Sequence, residues 1–328
     1  MQDKIAVIGA GSWGTALASQ LGSNGYEVTI YSLEQEVADC INEKHENCLF
    51  LPGNRLPDTV SGDTFNNISK IDTDSILWAV PTQFSRMLAM ENAEVLKGKH
   101  IIIATKGIEI STGKLVVTML EEAAEADYSI LSGPSFAKEV AAGKPTAVSI
   151  ANPDKEMAKR WQEALSTPAF RCYYTDDVIG VETGGAMKNV IALAAGASDG
   201  LGFGHNARAG IITRGLAEIA RLGVALGGKA ETFMGLSGMG DLVLTCTGDL
   251  SRNRQVGLKL AEGHTIDDIT GKMNMVAEGV YTAKAAYEMS IKHGIEMPIT
   301  NEVYQVIYEG KNPKDSVMAL MERPLREE

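Results

Sequence analysis

The chain has 328 residues, of which 45% are hydrophobic and 22% charged, and its formal net charge is −12. This length exceeds that of one ordinary core, so we expect two domains, and the composition is that of a globular protein. The acidic balance disfavours nucleic acid as a partner. If the ligands carry phosphate, basic groups must be gathered locally against the overall field.

Neither a membrane segment nor a metal centre is indicated. The longest uninterrupted apolar run, residues 190–197, is far below the roughly 20 residues that span a bilayer. A strand pattern begins at Lys4 and leaves no room for a basic leader, so we expect a cytoplasmic location. The four cysteines (Cys40, Cys48, Cys172 and Cys246) are scattered, which argues against a disulfide framework or a structural zinc site. The five histidines are dispersed too.

The first half alternates β-rich runs with helical patterns. We predict strands at 4–10, 27–32, 75–81, 100–107, 128–133, 146–151 and 170–175, with helices at 11–22 and 35–46. Near-continuous Val/Ile runs separated by helices are typical of a mostly parallel sheet covered on both faces. The pattern predicts an α/β fold whose N-terminal domain, residues 1–177, is a doubly wound, Rossmann-type parallel sheet.

After Asp177 the β-rich runs disappear and helical periodicity takes over. Apolar residues recur with a 3.6-residue period at 178–198, 207–226, 251–262, 279–293 and 298–309. In the second of these stretches, Ile212, Leu216, Ile219 and Leu222 make an apolar stripe. We therefore predict an all-α C-terminal domain over residues 178–328.

A glycine-rich turn follows the first strand. Gly9, Gly11 and Gly14 have the G-x-G-x-x-G spacing, between a predicted strand and a predicted helix. In that context the glycines permit a tight turn, a close approach of backbone to a pyrophosphate, and close helix packing. The helix N-terminus supplies amide donors for the anion. The sequence thus predicts a dinucleotide site.

The end of the second strand bears on which dinucleotide binds. An acidic residue there favours a free ribose 2′-hydroxyl, and a basic one favours a 2′-phosphate. Glu34 lies about 20 residues past the glycine turn, and no Arg or Lys occurs between Lys4 and Lys44. This favours NAD. The preference is only slight, because glutamates are common on helix surfaces.

Two loops after later strands carry candidate ligand-binding residues. Lys106 follows one strand, and the segment SGPSFAKE, residues 132–139, follows another. Ligands of open parallel sheets bind beyond the carboxyl ends of the strands, which favours a functional Lys106 over a plain surface lysine. The small residues of the second loop suit either an approach to a ligand or a simple turn.

The helical half contains two isolated charges in apolar surroundings. Lys188 is the one charge between Thr183 and Ser198, and Asp241 lies in a glycine-rich, uncharged stretch. Such a lysine either extends to solvent from a core helix or is held for chemistry. A buried carboxylate needs a partner, and a lysine of the same domain would serve.

The segment SRNR, residues 251–254, groups several donors. Ser251 can cap the following helix, and the guanidinium fork of arginine suits phosphate oxygens. A solvated basic face explains the two arginines equally well.

With these motifs the chain resembles the bacterial-type NAD(P)-dependent glycerol-3-phosphate dehydrogenases. The resemblance runs from end to end, in the blocks GAGSWGTALA (9–18), ATKG (104–107), SGPSFAKE (132–139), GGAMKNVIALAAGASDGLGFGHNARAGIITRGLAE (184–218), GDLVLTCT (240–247), SRNR (251–254), AEG (277–279) and EMPIT (296–300). It implies interconversion of sn-glycerol 3-phosphate and dihydroxyacetone phosphate by hydride transfer, which would supply glycerol 3-phosphate for phospholipids. It also implies a homodimer.

The resemblance assigns roles to individual residues. Lys188 matches the catalytic proton donor and acceptor, and Lys106 matches a lysine that contacts substrate and cofactor. The implied catalytic set is Lys188, Lys106 and Asp241. The implied substrate-binding set is Lys106, Gly133, Ser135, Lys188, Asp241, Ser251, Arg252 and Asn253. The implied cofactor-binding set is Gly9, Gly11, Ser12, Trp13, Gly14, Leu33, Lys106, Ala137, Arg252, Val276 and Glu278.

One position departs from the family pattern. Many members carry Arg or His where this chain has Leu33, so the resemblance leaves NAD or NADP open. No metal is implied, since two lysines can supply the positive charge that zinc supplies elsewhere. The alternatives are a β-hydroxyacid-type dehydrogenase acting on another small anion and a dinucleotide sensor without catalysis. A sensor would not need Lys106, Lys188, Asp241 and Arg252 together.

Overall fold

A computed structural model describes residues 4–271 and 277–324. Its contacts divide the chain into two compact units. The first, here called the sheet unit, comprises Met1–Lys106 and Leu115–Glu182, and the second, the helical unit, comprises Gly107–Lys114 and Thr183–Glu328. The domain limits expected from the sequence, 1–177 and 178–328, stay a proposal.

The sheet unit contains one eight-stranded sheet in the order β3-β2-β1-β4-β5-β6-β7-β8. The strands are β1 Lys4–Ile8, β2 Glu27–Ser32, β3 Val60–Thr64, β4 Ser75–Trp78, β5 His100–Ile103, β6 Asp127–Ser132, β7 Thr146–Ala151 and β8 Phe170–Thr175. All neighbours pair in parallel except β6 and β7, which are antiparallel. The predicted doubly wound, mostly parallel sheet is confirmed.

Alternate residues of the strands face two apolar layers. The helices of this unit are α1 Ser12–Ser23, α2 Gln35–Lys44, α3 Thr82–Glu91, α4 Ala93–Leu96, α5 Val116–Ala123, α6 Ala137–Ala141 and α7 Lys155–Leu165. Ile5 and Val7 pack with α1 and α7 on one face, whereas Ala6 and Ile8 pack with α3 and α5 on the other. Because both faces are covered, the strands read as unbroken apolar runs.

The helical unit holds the remaining long helices, in agreement with the predicted all-α region. They are α8 Val178–Gly200, which begins in the sheet unit, α9 Gly204–Ala225, α10 Asp241–Thr247, α11 Arg252–Ala261, α12 Ile266–Thr270, α13 Glu278–His293, α14 Pro298–Tyr308 and α15 Pro313–Met321. A π-helical turn, Leu236–Gly240, directly precedes α10. The sequence pattern had indicated neither this turn nor α10.

Helix α8 is long, with 23 residues, and largely apolar. By length and composition alone it could cross a membrane, but 83% of its most apolar stretch is buried within the protein. That burial is typical of a core helix.

One expectation about the cysteines was wrong. Cys40 on α2 and Cys48 in the following loop form a disulfide, with their Cα atoms 6.3 Å apart. Cys172 and Cys246 are free and buried, and burial raises the pKa of each thiol to about 12. Among the described residues, no group of three His, Cys, Asp or Glu is placed to hold a metal ion.

Candidate active site

The glycine turn joins β1 to α1 and leaves one side of the backbone open. Gly9 has a φ of 111°, and a Cβ added to it would lie 2.6 Å from the Ala79 carbonyl oxygen. A Cβ on Gly14 would lie 2.1 Å from the Gly9 oxygen, whereas a Cβ on Gly11 would meet nothing within 4 Å. The first and third glycines are therefore required by the protein's own packing. Gly11 leaves open space for a ligand at the start of α1.

This geometry fits the pyrophosphate of a dinucleotide. Helix α1 has 12 residues and its N-cap is Gly11, which contributes no capping side chain. Ser12 and Trp13 lie in the first turn of the helix, where backbone N–H groups and the helix dipole favour an anion. Ala137 begins the short helix α6, which packs against α1.

The residues after β2 lie beside the glycine turn at the same edge of the sheet. The Gly9 N–H donates to the Tyr31 carbonyl at 3.0 Å, and β1 and β2 pair in parallel. Leu33 follows β2 and is 73% exposed. The Ser32 hydroxyl donates to the Glu34 carboxylate at 2.9 Å. A fixed carboxylate therefore stands where a ribose-binding residue is expected.

Lys106, Gly133 and Ser135 meet at the carboxyl ends of β5 and β6. The Lys106 ammonium donates to the Gly133 carbonyl at 3.2 Å, and the Ser135 hydroxyl donates to the same oxygen at 3.0 Å. A Cβ on Gly133 would lie 2.8 Å from the Val148 Cα, so the close approach of strands requires glycine there. The structure thus brings these three predicted residues together.

In the helical unit, Lys188 and Asp241 form a buried ion pair. The Lys188 ammonium on α8 donates to an Asp241 carboxylate oxygen at the start of α10. Their side chains are 10% and 1% exposed. The sequence had predicted a lysine partner for Asp241, and the structure places Lys188 there. A charge buried in this way needs such a partner.

Glycine on α8 makes this pairing possible. A Cβ on Gly184 would lie 2.6 Å from the Ser237 carbonyl oxygen, in the π-helical turn before α10. Gly184 and Lys188 are four residues apart and therefore share one face of α8. The missing side chain lets the backbone before α10 approach α8, which brings Asp241 against Lys188.

A second face of α8 packs against α11 with the same use of glycine. A Cβ on Gly196 would lie 2.1 Å from the Arg254 carbonyl oxygen, and one on Gly257 would lie 2.1 Å from that of Leu193. On this face Asn253 donates its amide to the Asn189 side-chain oxygen at 2.9 Å. Asn253 also accepts the Gly279 N–H at 3.0 Å, which ties the start of α13 to α11.

The two arginines of the SRNR segment differ in their surroundings. Arg254 donates from Nε and Nη2 to Asp199, at 3.0 and 2.8 Å. Arg252 is solvent-exposed at the first position of α11 and close enough to Glu278 to interact electrostatically. Arg254 is thus held by Asp199 within the protein, whereas Arg252 lies at the helix N-terminus near Glu278. Ser251 is the N-cap of α11 and accepts the Arg254 N–H at 3.2 Å.

Two polar residues near the ion pair were not singled out from the sequence. Thr245 lies one turn after Asp241, and its hydroxyl donates to the Asp241 carbonyl at 2.6 Å and lies 3.4 Å from the carboxylate. Asn189 neighbours Lys188 and is 7% exposed. The i, i+4 spacing of Asp241 and Thr245 on one helix was the available signal. Val276 lies outside the described residues.

The sheet unit has a glycine turn of the dinucleotide-binding kind, and the helical unit holds a buried lysine–aspartate pair. Both features in one chain are typical of a nicotinamide-dependent dehydrogenase. Sequence comparison specifies which family. Residues 4–158 match the family described as NAD-dependent glycerol-3-phosphate dehydrogenase N-terminus, and residues 177–318 match the corresponding C-terminus. The chain belongs to the NAD-dependent glycerol-3-phosphate dehydrogenase family.

Individual relatives agree over the whole length. A glycerol-3-phosphate dehydrogenase [NAD(P)+] of Nitratidesulfovibrio vulgaris is 50% identical over 99% of this chain and 100% of its own. That of Citrifermentans bemidjiense is 49% identical over 100% and 99%. The crystal structure of glycerol-3-phosphate dehydrogenase from Coxiella burnetii superposes with a TM-score of 0.92 at 38% identity, covering 98% of this chain and 99% of that one.

Proposed function

We propose that this chain interconverts sn-glycerol 3-phosphate and dihydroxyacetone phosphate, with NAD(H) or NADP(H) as the hydride carrier. The buried Lys188–Asp241 pair is the observation that carries the proposal, because a positioned ammonium is what reduction of a ketone needs. The nicotinamide, when bound, supplies or accepts the hydride.

Lys188 would act on the substrate oxygen. As a ketone is reduced, negative charge grows on its oxygen, and a nearby ammonium both stabilises that charge and donates the proton. In the oxidative direction the neutral amine takes the hydroxyl proton. Asp241 fixes the Lys188 ammonium, and Thr245 lies beside the same carboxylate.

Substrate binding in the helical unit would centre on Arg252. A guanidinium suits a phosphate, and Arg252 stands at the N-terminus of the ten-residue helix α11, where the helix dipole also favours an anion. Ser251 caps that helix, and Asn253 links Asn189 to Gly279. We assign Ser251 and Asn253 to holding the frame around Arg252. Glu278, beside it, is assigned to the cofactor side together with Val276.

In the sheet unit, Gly9, Gly11, Ser12, Trp13 and Gly14 would hold the dinucleotide, with Leu33 and Ala137 as further contacts. The open space over Gly11 supports this assignment. Lys106 would contact substrate and cofactor, and Gly133 and Ser135 would contact substrate. The support is that all three share one carbonyl group at the end of β6.

The wider role is also a proposal. Glycerol 3-phosphate is the backbone of phospholipids, so reduction would supply lipid synthesis from a cytoplasmic enzyme. We further propose a homodimer formed through the helical unit. Val224, Met234 and Val243, which are 48%, 63% and 41% exposed there, supply apolar surface for such an interface.

A steady-state assay tests the proposed function. Dihydroxyacetone phosphate is offered with NADH and with NADPH in parallel, and absorbance of the reduced nicotinamide is followed. Consumption that depends on dihydroxyacetone phosphate is expected, with none for small β-hydroxyacids in the reverse direction. Turnover of hydroxyacids alone would make the chain a β-hydroxyacid-type dehydrogenase. Dinucleotide binding without any turnover would make it a sensor.

A further inference from the structure

Residues 45–56, here called the strap, are the larger part of the loop between α2 and β3. One buried side chain of the strap contacts the glycine turn. Asn47 is fully buried. Its amide donates to the Ala10 carbonyl at 2.7 Å and to the Thr15 hydroxyl at 2.8 Å. Its side-chain oxygen accepts the Phe50 N–H at 2.9 Å. Both polar atoms of the Asn47 side chain are therefore engaged, and two of its three side-chain bonds reach the glycine turn and the start of α1.

The Ala10 carbonyl is the key acceptor, because it belongs to the same peptide group as the Gly11 N–H. The Thr15 hydroxyl also donates to it, at 3.2 Å, so two buried donors hold this oxygen on the protein side. In a planar trans peptide the carbonyl and the following N–H point in opposite directions. Fixing the Ala10 oxygen therefore directs the Gly11 N–H away from Asn47 and Thr15. A Cβ added to Gly11 would meet nothing within 4 Å, so the turn is open beside this residue.

We propose that Asn47 is a positioning residue for dinucleotide binding: by holding the Ala10 carbonyl, it aims the Gly11 amide at the pyrophosphate. Asn47 touches neither ligand nor reacting atoms and acts through the backbone of the turn. The inference rests on the proposed function only in taking the glycine turn as the dinucleotide site.

The strap has apolar anchors independent of Asn47. Leu51 and Leu56 are 0% and 1% exposed in the core beneath α1, and the Leu56 N–H donates to the His45 carbonyl at 2.7 Å. Removing the Asn47 amide should therefore leave the strap in place. The Ala10–Gly11 peptide would instead lose its strongest restraint.

The test is a fluorescence titration of the full chain with NADH and with NADPH. We expect Asn47→Ala to raise both dissociation constants about tenfold. The factor should be the same for the two dinucleotides, because they share the pyrophosphate. At saturating dinucleotide, kcat and the KM for dihydroxyacetone phosphate should stay within about twofold of wild type. A loss of packing alone would not produce this split.

The matched control is Asn54→Ala in the same strap. Asn54 donates to the Leu51 and Pro52 carbonyls and not to the glycine turn, so its dissociation constants should match wild type. An Asn54→Ala effect as large as that of Asn47→Ala would overturn the proposal, as would a folded Asn47→Ala with wild-type affinity.

If Asn47→Ala does not fold, the isosteric Thr15→Val decides, because it removes the other donor to the Ala10 carbonyl. Unchanged affinity in Thr15→Val then overturns the proposal.

The outcome for the proposed function is separate. Wild-type protein that binds NADH without reducing dihydroxyacetone phosphate refutes the reaction but leaves the Asn47 comparison measurable. Wild-type protein that binds neither dinucleotide refutes both.

Discussion

Gly11 of the sheet unit and three glycines at helix contacts of the helical unit differ in what lies beside them. A Cβ on Gly11 would meet no protein atom within 4 Å, so the backbone there is open to a ligand. In the helical unit, Gly184, Gly196 and Gly257 are all filled by a neighbouring backbone, and the result is a set of side chains held in register. On the proposed function, cofactor binding would use backbone amides, whereas proton transfer would use charged side chains. The four predictions below test that contrast.

The largest effect is expected at the side-chain site. Lys188→Ala removes the proton donor, so turnover should fall about 1,000-fold, while the NADH dissociation constant should change little because the glycine turn is intact. Steady-state kinetics and an NADH titration measure the two quantities. Lys259→Ala, an exposed lysine on α11, is the control and should behave as wild type. Near-normal turnover of Lys188→Ala would refute the role of the ion pair.

A pair of glycine variants separates binding space from packing space. Gly257→Ala places a methyl group 2.1 Å from the Leu193 oxygen, and such overpacking should cost about 3 kcal/mol of stability. Gly11→Ala clashes with nothing and has a φ of −62°, so its stability should stay within about 0.5 kcal/mol of wild type. Its dinucleotide affinity should nevertheless fall. Thermal unfolding measures the stability of the two variants, and an NADH titration measures their affinity. A destabilised Gly11→Ala and a Gly257→Ala with weakened NADH binding but normal stability would contradict this distinction.

Arg252 and Arg254 offer a smaller and equally specific comparison. Arg252→Ala should raise the KM for dihydroxyacetone phosphate about 10- to 100-fold, the value of a charge-assisted hydrogen bond to phosphate. Arg254 forms an ion pair with Asp199. Arg254→Ala should therefore lower Tm and change that KM little. An unchanged KM in Arg252→Ala would remove it from the phosphate site.

The smallest effect concerns a carboxyl group of the sheet unit. Burial raises the pKa of Glu182 to about 8, while its carboxylate accepts the Val117 N–H at 2.9 Å. Between pH 4.5, its ordinary value, and pH 8 the folded protein holds a proton that the unfolded chain has lost. Stability must therefore fall as pH rises through this window, by at most about 1.4 kcal/mol per pH unit.

Glu182→Gln checks this, because the amide keeps an acceptor for Val117 and cannot ionise. Denaturant unfolding at pH 6, 7 and 8 should show a flatter profile for the variant than for wild type. Glu163→Gln makes the same chemical change at an exposed position on α7, and its profile should follow wild type. Equal slopes in Glu182→Gln and wild type would show that the carboxyl is not protonated in the folded chain.

The sequence predicted the sheet better than the packing between helices. Strands such as β1 and β5 are unbroken apolar runs, and their type follows from composition. The edge strand β3, Val60–Thr64, contains Ser, Gly and Asp and carries no such signal, so it was missed. The antiparallel β7 could not be foreseen, because parallel and antiparallel strands buried on both faces have the same residue pattern.

The candidate site shows the same limit. The glycine turn is local and can be read from spacing, whereas the pairing of Lys188 with Asp241 spans 53 positions. Its prediction relied on the reasoning that buried charges need partners and on resemblance to a family. Gly184 and Gly196, on either side of Lys188 in the sequence, receive the backbones of neighbouring segments, and their spacing alone does not show this. Asn47 was missed because nothing in its sequence surroundings points to a turn 37 positions away.

Residues 107–114 belong to the helical unit although they lie between two elements of the sheet unit in the chain. A Cβ on Gly113 would lie 3.4 Å from the Met289 side chain, so this segment packs among the helices. The helical unit is therefore not one continuous stretch of sequence. A gene fragment beginning at Thr183 would therefore encode it incompletely, because eight of its residues are encoded within the stretch that encodes the sheet unit.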